Sequence, residues 1–386
     1  KGGKGDDFDL LSRLGLSLLK GASGLTASFI ENFGSEMSPA EYARTGPGAL
    51  NKLETWLRNK MKELEGKRNK ELKRLEELFE EDPDEALRYA LPLNSNYEGR
   101  GVSQPGSSLS RGNFDFSLGK LGGGGAIDAW NMDHQQYAAL RNKYLAAANS
   151  AIEKGDFRKA AYIHAHLLGD LWKAANVLEQ GGFYNEAAAL YKDHLKDKTA
   201  AARCLDEAGA WSEAAALFEE VEDFEKAGDL YHRIQRDEKA ARLYHKAVAK
   251  AQNNQKLLQA GNILNNKLHD KQAAEDQWLA GWSIYAQAED CLDAFLNSVA
   301  QGDEKRLIKT LGKVYEQTPS GPMEDKFVRM LLQQKDNQNS ETFDAFSQQL
   351  AYEVTSRKLQ NNDGPQSFHA WRKLLPKDQL LGKDVN

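Results

Sequence analysis

The first pattern with chemical potential is a pair of histidines. His164 and His166 are separated by a single residue, and this spacing suits zinc ligation only when both side chains leave an extended chain. The neighbouring residues have a helical pattern, and on a helix the two side chains would point about 200° apart. We therefore interpret both as ordinary histidines and predict no metal site.

A glycine run is the second pattern, at residues 122–125. A phosphate-binding loop would end in Gly-Lys-Ser/Thr and follow an apolar strand, and this run has neither. The chain also lacks Cys-x-x-Cys, His-Glu-x-x-His and the Gly-x-Ser-x-Gly nucleophile elbow. Acidic pairs such as Glu219-Glu220 fit the polar face of a helix. The sequence thus predicts a protein that is not an enzyme and has no catalytic residues and no cofactor; an enzyme with an unrecognised site is the last alternative.

Tryptophans in the central region could form a ligand-binding box, but we interpret them as core residues: Trp172, Trp211, Trp278 and Trp282. The chain has 386 residues, 40% of them hydrophobic, and a net charge of −6, which favours a soluble protein that does not bind nucleic acid. No run of about 20 apolar residues predicts a transmembrane span. The chain has two cysteines, Cys204 and Cys291, which argues against a disulfide framework.

A recurring alanine motif, called the alanine phrase below, organises the centre of the chain. Two small residues, the first of them alanine, are followed by large apolar residues, and the first alanines recur at steps of thirteen or fourteen positions from Ala147 to Ala240. Two later copies, Ala260-Gly261 and Ala273-Ala274, are again thirteen positions apart and follow a wider gap. We predict that the first alanines are helix-packing residues: Ala160, Ala174, Ala187, Ala201, Ala214, Ala227 and Ala240.

The period predicts the fold. A unit of this length holds one helix of about ten residues and a tight turn, and such a helix is too short to be stable alone. Small side chains allow neighbouring helices to approach closely, so the units must stack. Glycines at 155, 169, 181, 182 and 209 suit left-handed turn positions. We expect an all-α fold, a TPR-like α-solenoid of short helical hairpins with about 13 residues per helix and a long N-terminal helix.

The regions outside the repeats divide the chain further. We predict an amphipathic segment at 1–34, a charged helical region at 35–91 that includes a long helix over 49–81, a Gly/Ser-rich loop at 92–128, repeats at 129–300, and a helical cap and tail at 301–386. The loop is expected to dock on the early repeats and on the long helix through apolar anchors. These anchors are Phe114, Phe116 and Leu118.

The amphipathic segment allows two interpretations. Its apolar face consists of Phe8, Leu11, Leu14, Leu18, Leu25 and Phe29. This face would dock on another part of the protein, or it would insert into a membrane surface. The leading functional hypothesis is a scaffold for protein–protein interaction, and the alternative is an adaptor recruited to the membrane by this segment.

Several stretches also resemble a known bacterial family. They are Asp-Pro-Asp-Glu-Ala-Leu-Arg-Tyr-Ala-Leu-Pro-Leu at 82–93, Phe-Ser-Leu-Gly at 116–119 with the glycine run, Arg-Lys-Ala-Ala-Tyr-Ile at 158–163 and Leu-Leu-Gly-Asp-Leu at 167–171. The chain resembles the helical-repeat (TPR-like) component of MoxR–vWA–β-propeller ternary systems over roughly residues 82–249.

This resemblance implies a bacterial scaffold in a conflict or quality-control system. Its implied partners are a MoxR-type ATPase and vWA-domain proteins, and its implied location is cytoplasmic, with the inner membrane surface as the alternative. It further implies a propeller-like domain upstream of Lys1. No family active site is implied.

Overall fold

The computed structural model describes residues 47–93, 100–104, 106–112, 118, 128–300, 304–318, 321–338 and 340–360. The predictions made for residues 8–33 and for Phe114 and Phe116 lie outside these ranges. The chain divides into two compact units, Lys1–Ala214 and Ala215–Asn386. This division falls inside the region that the sequence assigned to the repeats.

The described chain is largely helical, which confirms the all-α class. Its helices are α1 (Pro47–Glu81), α2 (Pro83–Leu87), α3 (His134–Glu153), α4 (Phe157–Tyr162), α5 (Leu171–Gln180), α6 (Tyr184–Ala189), α7 (Lys198–Glu207), α8 (Trp211–Glu220), α9 (Phe224–Arg233), α10 (Asp237–Asn253), α11 (Leu257–Asn266), α12 (Lys271–Gly281), α13 (Ala288–Ala300), α14 (Glu304–Gln317), α15 (Pro322–Gln338) and α16 (Glu341–Gln360). Two of them continue into π-helical turns, α4 into Ile163–Leu167 and α6 into Leu190–Leu195.

A short β-sheet interrupts the region predicted as loop. Strand β1 (Arg100–Ser103) pairs antiparallel with β2 (Asp128–Asn131), with Gly101 opposite Trp130. Trp130 is fully buried, and the Arg68 guanidinium of α1 lies 5.0 Å from its ring centroid. Arg68 also donates to the carbonyl oxygens of Gly106 and Ala129, at 3.0 and 3.3 Å. The interpretation of residues 92–128 as loop alone was therefore wrong for β1, and the sheet that it forms with β2 is anchored on α1.

The chain before β1 lies along α4. Asp84 forms an ion pair with Lys159 at the start of that helix. The backbone N–H of Leu93 donates to the carbonyl of Leu167, at the end of the π-helical turn that continues the helix, at 2.6 Å. Between these points, the buried Tyr144 hydroxyl of α3 bonds both the N–H and the carbonyl of Leu91, each at 2.9 Å. The segment thus covers one additional side of α4.

The repeat helices share one burial pattern. Counting the first small residue of each phrase as position 1, the residues at positions 1, 2, 4 and 5 are buried and position 3 is exposed in α5, α7 and α8. The seven alanines predicted to pack are all buried, at 0 or 1% exposure. Because four of five consecutive positions are buried, each helix is covered on two sides, and large side chains at positions 1 and 2 have no room.

One left-handed residue stands in each turn, five positions before the next position 1. Gly155, Gly169, Gly182 and Gly209 take this place in the first unit, with φ between 71° and 80°. Lys196 takes it with φ 58°, a conformation that is costly for a residue with a side chain. The prediction for Gly181 was wrong: its φ is −83°, and the space where a Cβ would lie is filled by the ring of Phe157.

The alternation between shorter and longer repeats, which differ by one residue, has a structural cause. In each turn except the one after the longer helix α10, the residue after the left-handed one donates its N–H to the carbonyl of position 5 in the preceding helix. In a shorter repeat this bond joins residue i to residue i−5, as from Phe183 to Leu178 at 2.8 Å. In a longer repeat it joins residue i to residue i−6, as from Asp170 to His164 at 2.8 Å. The π-helical turns in α4 and α6 absorb the extra residue.

The same bond corrects the phase of the last repeat. His269 is left-handed with φ 55°, and Asp270 donates to the carbonyl of Leu264 at 3.0 Å. Position 1 is therefore Ala274 and not Ala273, so the repeat that begins at Ala260 is of the longer kind. Glu275 consequently occupies position 2, where the other repeats carry alanine or glycine.

Candidate interaction groove

The wide gap between the alanine phrases at Ala240 and Ala260 corresponds to the long helix α10. The step from Ala240 to Ala260 exceeds the step from Ala227 to Ala240 by seven positions. Seven positions are about two helical turns, so the extension keeps the buried face of the helix in line. Helix α10 accordingly has 17 residues, against ten in α9 and in α11. Its added turns bury Ala247, Val248 and Ala251, at 4 to 7% exposure.

A groove of about 310 Å³ lies beside this extension, wholly within the second unit. Its three sides are the second half of α10, the turn and first residues of α9, and the first residues of α11. The lining residues are Val221, Glu222, Asp223, Phe224, Glu225, Ala247, Lys250, Ala251, Asn254, Lys256 and Gln259. The volume is at the lower end of ligand-binding pockets, which suits one or two side chains.

The floor of the groove is apolar. Ala247 and Ala251 are its buried residues, and each offers only a methyl group. The half-buried Phe224 ring stands beside them, with the Lys246 and Lys250 ammonium groups 5.3 and 5.6 Å from its centroid. A small-residue floor next to an aromatic ring leaves room for an apolar side chain from outside.

Polar side chains surround this floor, and most of them bond one another. The Lys250 ammonium donates to the carbonyl oxygen of Glu222 at 2.8 Å and lies 3.2 Å from its carboxylate. The Gln259 amide donates to the Glu225 carboxylate at 2.9 Å. Asp223 caps α9 by accepting from the Lys226 N–H, at 3.4 Å, and also pairs with the Lys226 ammonium at 3.1 Å. These bonds hold the rim in a defined arrangement.

Two rim charges have no opposite charge within 4 Å among the described residues. The Glu225 carboxylate meets only the neutral amide of Gln259. Lys256 stands at the start of α11 and makes no described side-chain hydrogen bond or ion pair. The groove therefore offers an acid on the α9 side and a base on the α11 side.

A second recurring arrangement joins position 5 of one helix to position 3 of the helix before it. The Tyr244 hydroxyl donates to Asp229 at 2.8 Å, and the Trp278 indole N–H donates to Asn262 at 3.2 Å. In the first unit the Tyr191 hydroxyl lies 3.0 Å from the Asn176 side-chain oxygen. Sequence reasoning placed these aromatics in the core but missed their polar partners, although a polar residue at position 3 was the available signal.

His164 occupies position 5 of its repeat, in the π-helical turn that continues α4, and differs from the residues at position 5 elsewhere. It is 3% exposed, and neither ring nitrogen meets a hydrogen-bonding group among the described residues. Burial lowers the pKa of its imidazole below the ordinary 6.5, while nearby Asp170 opposes this effect. His166 instead stacks on Tyr162 with ring centroids 4.5 Å apart. The structure does not bring the two imidazoles together as ligands, and the described residues contain no cluster of three metal-binding side chains.

The remaining sequence-based candidates fall in different places. Trp278 and Trp282 are buried as predicted, but Trp172 and Trp211 are 52 and 36% exposed because they lie in first turns, outside the buried positions. Leu118 is half-buried. The six apolar residues predicted as a membrane or partner face lie outside the described ranges. Burial raises the pKa of the Cys204 thiol to about 12 and that of Cys291 to about 11, so neither is a ready nucleophile.

Comparison of the chain with protein-family models and with curated proteins finds no match. Within the part of the chain that the structure describes, every helix is too short or too polar to cross a membrane.

Proposed function

We propose that this chain is a non-catalytic scaffold that binds a peptide segment of a partner protein in the groove beside α10. The observation that carries the proposal is the two-turn extension of this helix, since it creates a recess with an apolar floor and a polar rim. Repeat helices need only about ten residues to stack, as α9 and α11 show. The added turns are therefore not needed for the stacking of the repeats, and a binding surface gives them a role.

The rest of the proposal follows the sequence. The repeats would form a TPR-like α-solenoid, with α1 as its long N-terminal helix. Repeat architectures of this kind present extended surfaces on which function depends on the bound partner. The resemblance at residues 82–93 and 158–171 supports a MoxR-type ATPase and a vWA-domain protein as partners. The alternative function, recruitment to a membrane surface by residues 8–33, concerns residues that lie outside the described ranges.

Co-expression tests the proposal. The chain carries an affinity tag, and a MoxR-type ATPase and a vWA-domain protein from the same genome are produced untagged in the same cells. We expect at least one of them to co-purify in a fixed ratio that survives size-exclusion chromatography. Failure of both to co-purify, with each protein folded, would overturn the proposed partnership.

A matched pair of variants connects that partnership to the groove. Ala251→Met fills the floor, whereas Ala249→Met adds the same side chain on the exposed side of α10. We expect the first variant to lose the partner and the second to retain it. Both variants are first compared with the parent by circular dichroism, so that unfolding is separated from lost binding.

A further inference from the structure

We infer that the groove recognises a peptide in which one bulky apolar side chain lies between a basic and an acidic residue. This inference rests on the proposed scaffold function and specifies the chemistry of its ligand. It depends on three features of the groove: the methyl floor, the Glu225 carboxylate and the Lys256 ammonium.

The apolar side chain follows from the floor. Ala247 and Ala251 are buried at 7 and 4% exposure, and a side chain resting on them would also meet the Phe224 ring. Placing an aliphatic side chain there removes much of its own apolar surface from water, which favours binding, whereas the two alanines have little exposed surface left to contribute. Ala247 and Ala251 offer only methyl groups, so a polar side chain would have to turn away from the floor towards the polar rim to form a hydrogen bond.

The two flanking charges follow from the rim. Glu222 and Asp223 are already paired with Lys250 and Lys226. Of the charged residues that line the groove, only Glu225 and Lys256 have no opposite charge within 4 Å among the described residues, and they stand at the starts of different helices. A ligand with a base facing Glu225 and an acid facing Lys256 complements both. Charge complementarity of this kind selects among ligands more than it adds affinity.

Three capped pentapeptides probe the inference: acetyl-Ala-Lys-Leu-Glu-Ala-amide, the same peptide with serine in place of leucine, and the same peptide with glutamine in place of both charged residues. The full chain is labelled with ¹³C at alanine methyl groups, so that Ala247 and Ala251 report binding directly. We expect the first peptide to shift these two signals. The serine peptide should bind at least tenfold more weakly, and the glutamine peptide several-fold more weakly. Equal binding of all three peptides, or shifts confined to other alanines, would overturn the inference.

A charge exchange separates recognition from damage to the fold. Lys256 is exposed, so Lys256→Glu should leave packing intact. This variant should bind the Lys-Leu-Glu peptide more weakly and a Lys-Leu-Lys peptide more tightly than the parent does. Lys309→Glu, an exposed change in α14, should alter neither. A Lys256→Glu variant with unchanged preference would refute the role of the rim.

The two proposals fail in different ways. If the ATPase or the vWA-domain protein is captured equally well by the Ala251→Met variant, the scaffold function is supported and the groove is not its binding site. Peptide binding at Ala247 and Ala251 without capture of either protein would keep the groove and remove the proposed partners.

Discussion

Gly228 in α9 lies directly against the ring of Tyr244 in α10: a methyl group at position 228 would come within 2.6 Å of the Tyr244 Cε1 atom. Gly261 stands in the same relationship to Trp278, where an added Cβ would lie 2.3 Å from the indole nitrogen. Both glycines occupy position 2 of their repeats. In these two repeats, the ring at position 5 of the following helix fills the space that a Cβ at position 2 would occupy.

This contact predicts the effect of a single methyl group. Gly228→Ala should lower the free energy of unfolding by about 1–3 kcal/mol, because the Tyr244 ring must move and its bond to Asp229 is disturbed. Gly312→Ala in α14 is the control, since nothing lies within 4 Å of its added Cβ. That control should raise stability by about 0.5–1 kcal/mol, as is usual for glycine replaced inside a helix. Urea unfolding measures both, and a loss of stability at 312 as large as at 228 would contradict the steric explanation.

A neighbouring pair of alanines tests the burial pattern in the first unit. Ala188 is 3% exposed at position 2 of α6, whereas Ala189 at position 3 is exposed. Ala188→Leu should overpack the helix contact and cost about 1–3 kcal/mol. Ala189→Leu should change stability by less than about 0.5 kcal/mol, as surface substitutions usually do. Similar unfolding midpoints for the two variants would show that position 2 is not a packing position.

The buried carboxylate of Glu275 gives a third prediction. Its side chain is 4% exposed, lies 2.7 Å from the Arg306 guanidinium and accepts from the Ser298 hydroxyl at 3.0 Å. Arg306→Ala should cost about 1–3 kcal/mol, because a buried charge loses its partner. Adding Glu275→Ala should recover much of the loss, since alanine is the usual residue at position 2. A double variant less stable than Arg306→Ala alone would rule out this account.

The pH dependence of unfolding should depend on His164. Its folded-state pKa is lowered by burial, so below about pH 6.5 the unfolded chain binds a proton that the folded chain resists. The contribution of the neutral imidazole to stability is thus full above that pH and is lost as the pH falls towards the folded-state pKa.

We expect His164→Leu to reduce the loss of stability between pH 7.5 and 5.5, measured by urea unfolding at each pH. Leucine is chosen because Leu178 and Leu205 fill the same position in neighbouring repeats. The control is His194→Gln, an exposed histidine. The expectation fails if the parent and the His164→Leu variant lose the same stability over this range.

Much of the helical organisation follows from the alanine spacing, because burial on two sides allows only small residues at positions 1 and 2. The phase at Ala273 was misread, since alanine occurs at both 273 and 274 and only the turn bond distinguishes them. The groove was not predicted, although the wide gap after Ala240 contained its signal: an excess of seven positions is about two helical turns.

Other features needed three-dimensional information. Strands β1 and β2 are short, are separated by the whole stretch 104–127 and have no regular alternation of apolar residues. The cover over α4 had a local signal, because Tyr162, Ala165 and Leu167 are apolar beyond the repeat pattern and all are buried. Which segment supplies that cover is a question of distant contacts, and periodicity does not answer it.

The turn that accommodates either the shorter or the longer repeat has a consequence for how such a chain varies in length. The N–H after the left-handed residue reaches the same carbonyl in the shorter and in the longer repeats, as at Phe183 and Asp170. A one-residue insertion or deletion inside a helix normally rotates everything beyond it by about 100°. At these turns the change is absorbed before the next helix begins, so codon-sized insertions and deletions leave every buried face where it was. Any relatives of this chain should therefore align with single-residue gaps concentrated at the turns.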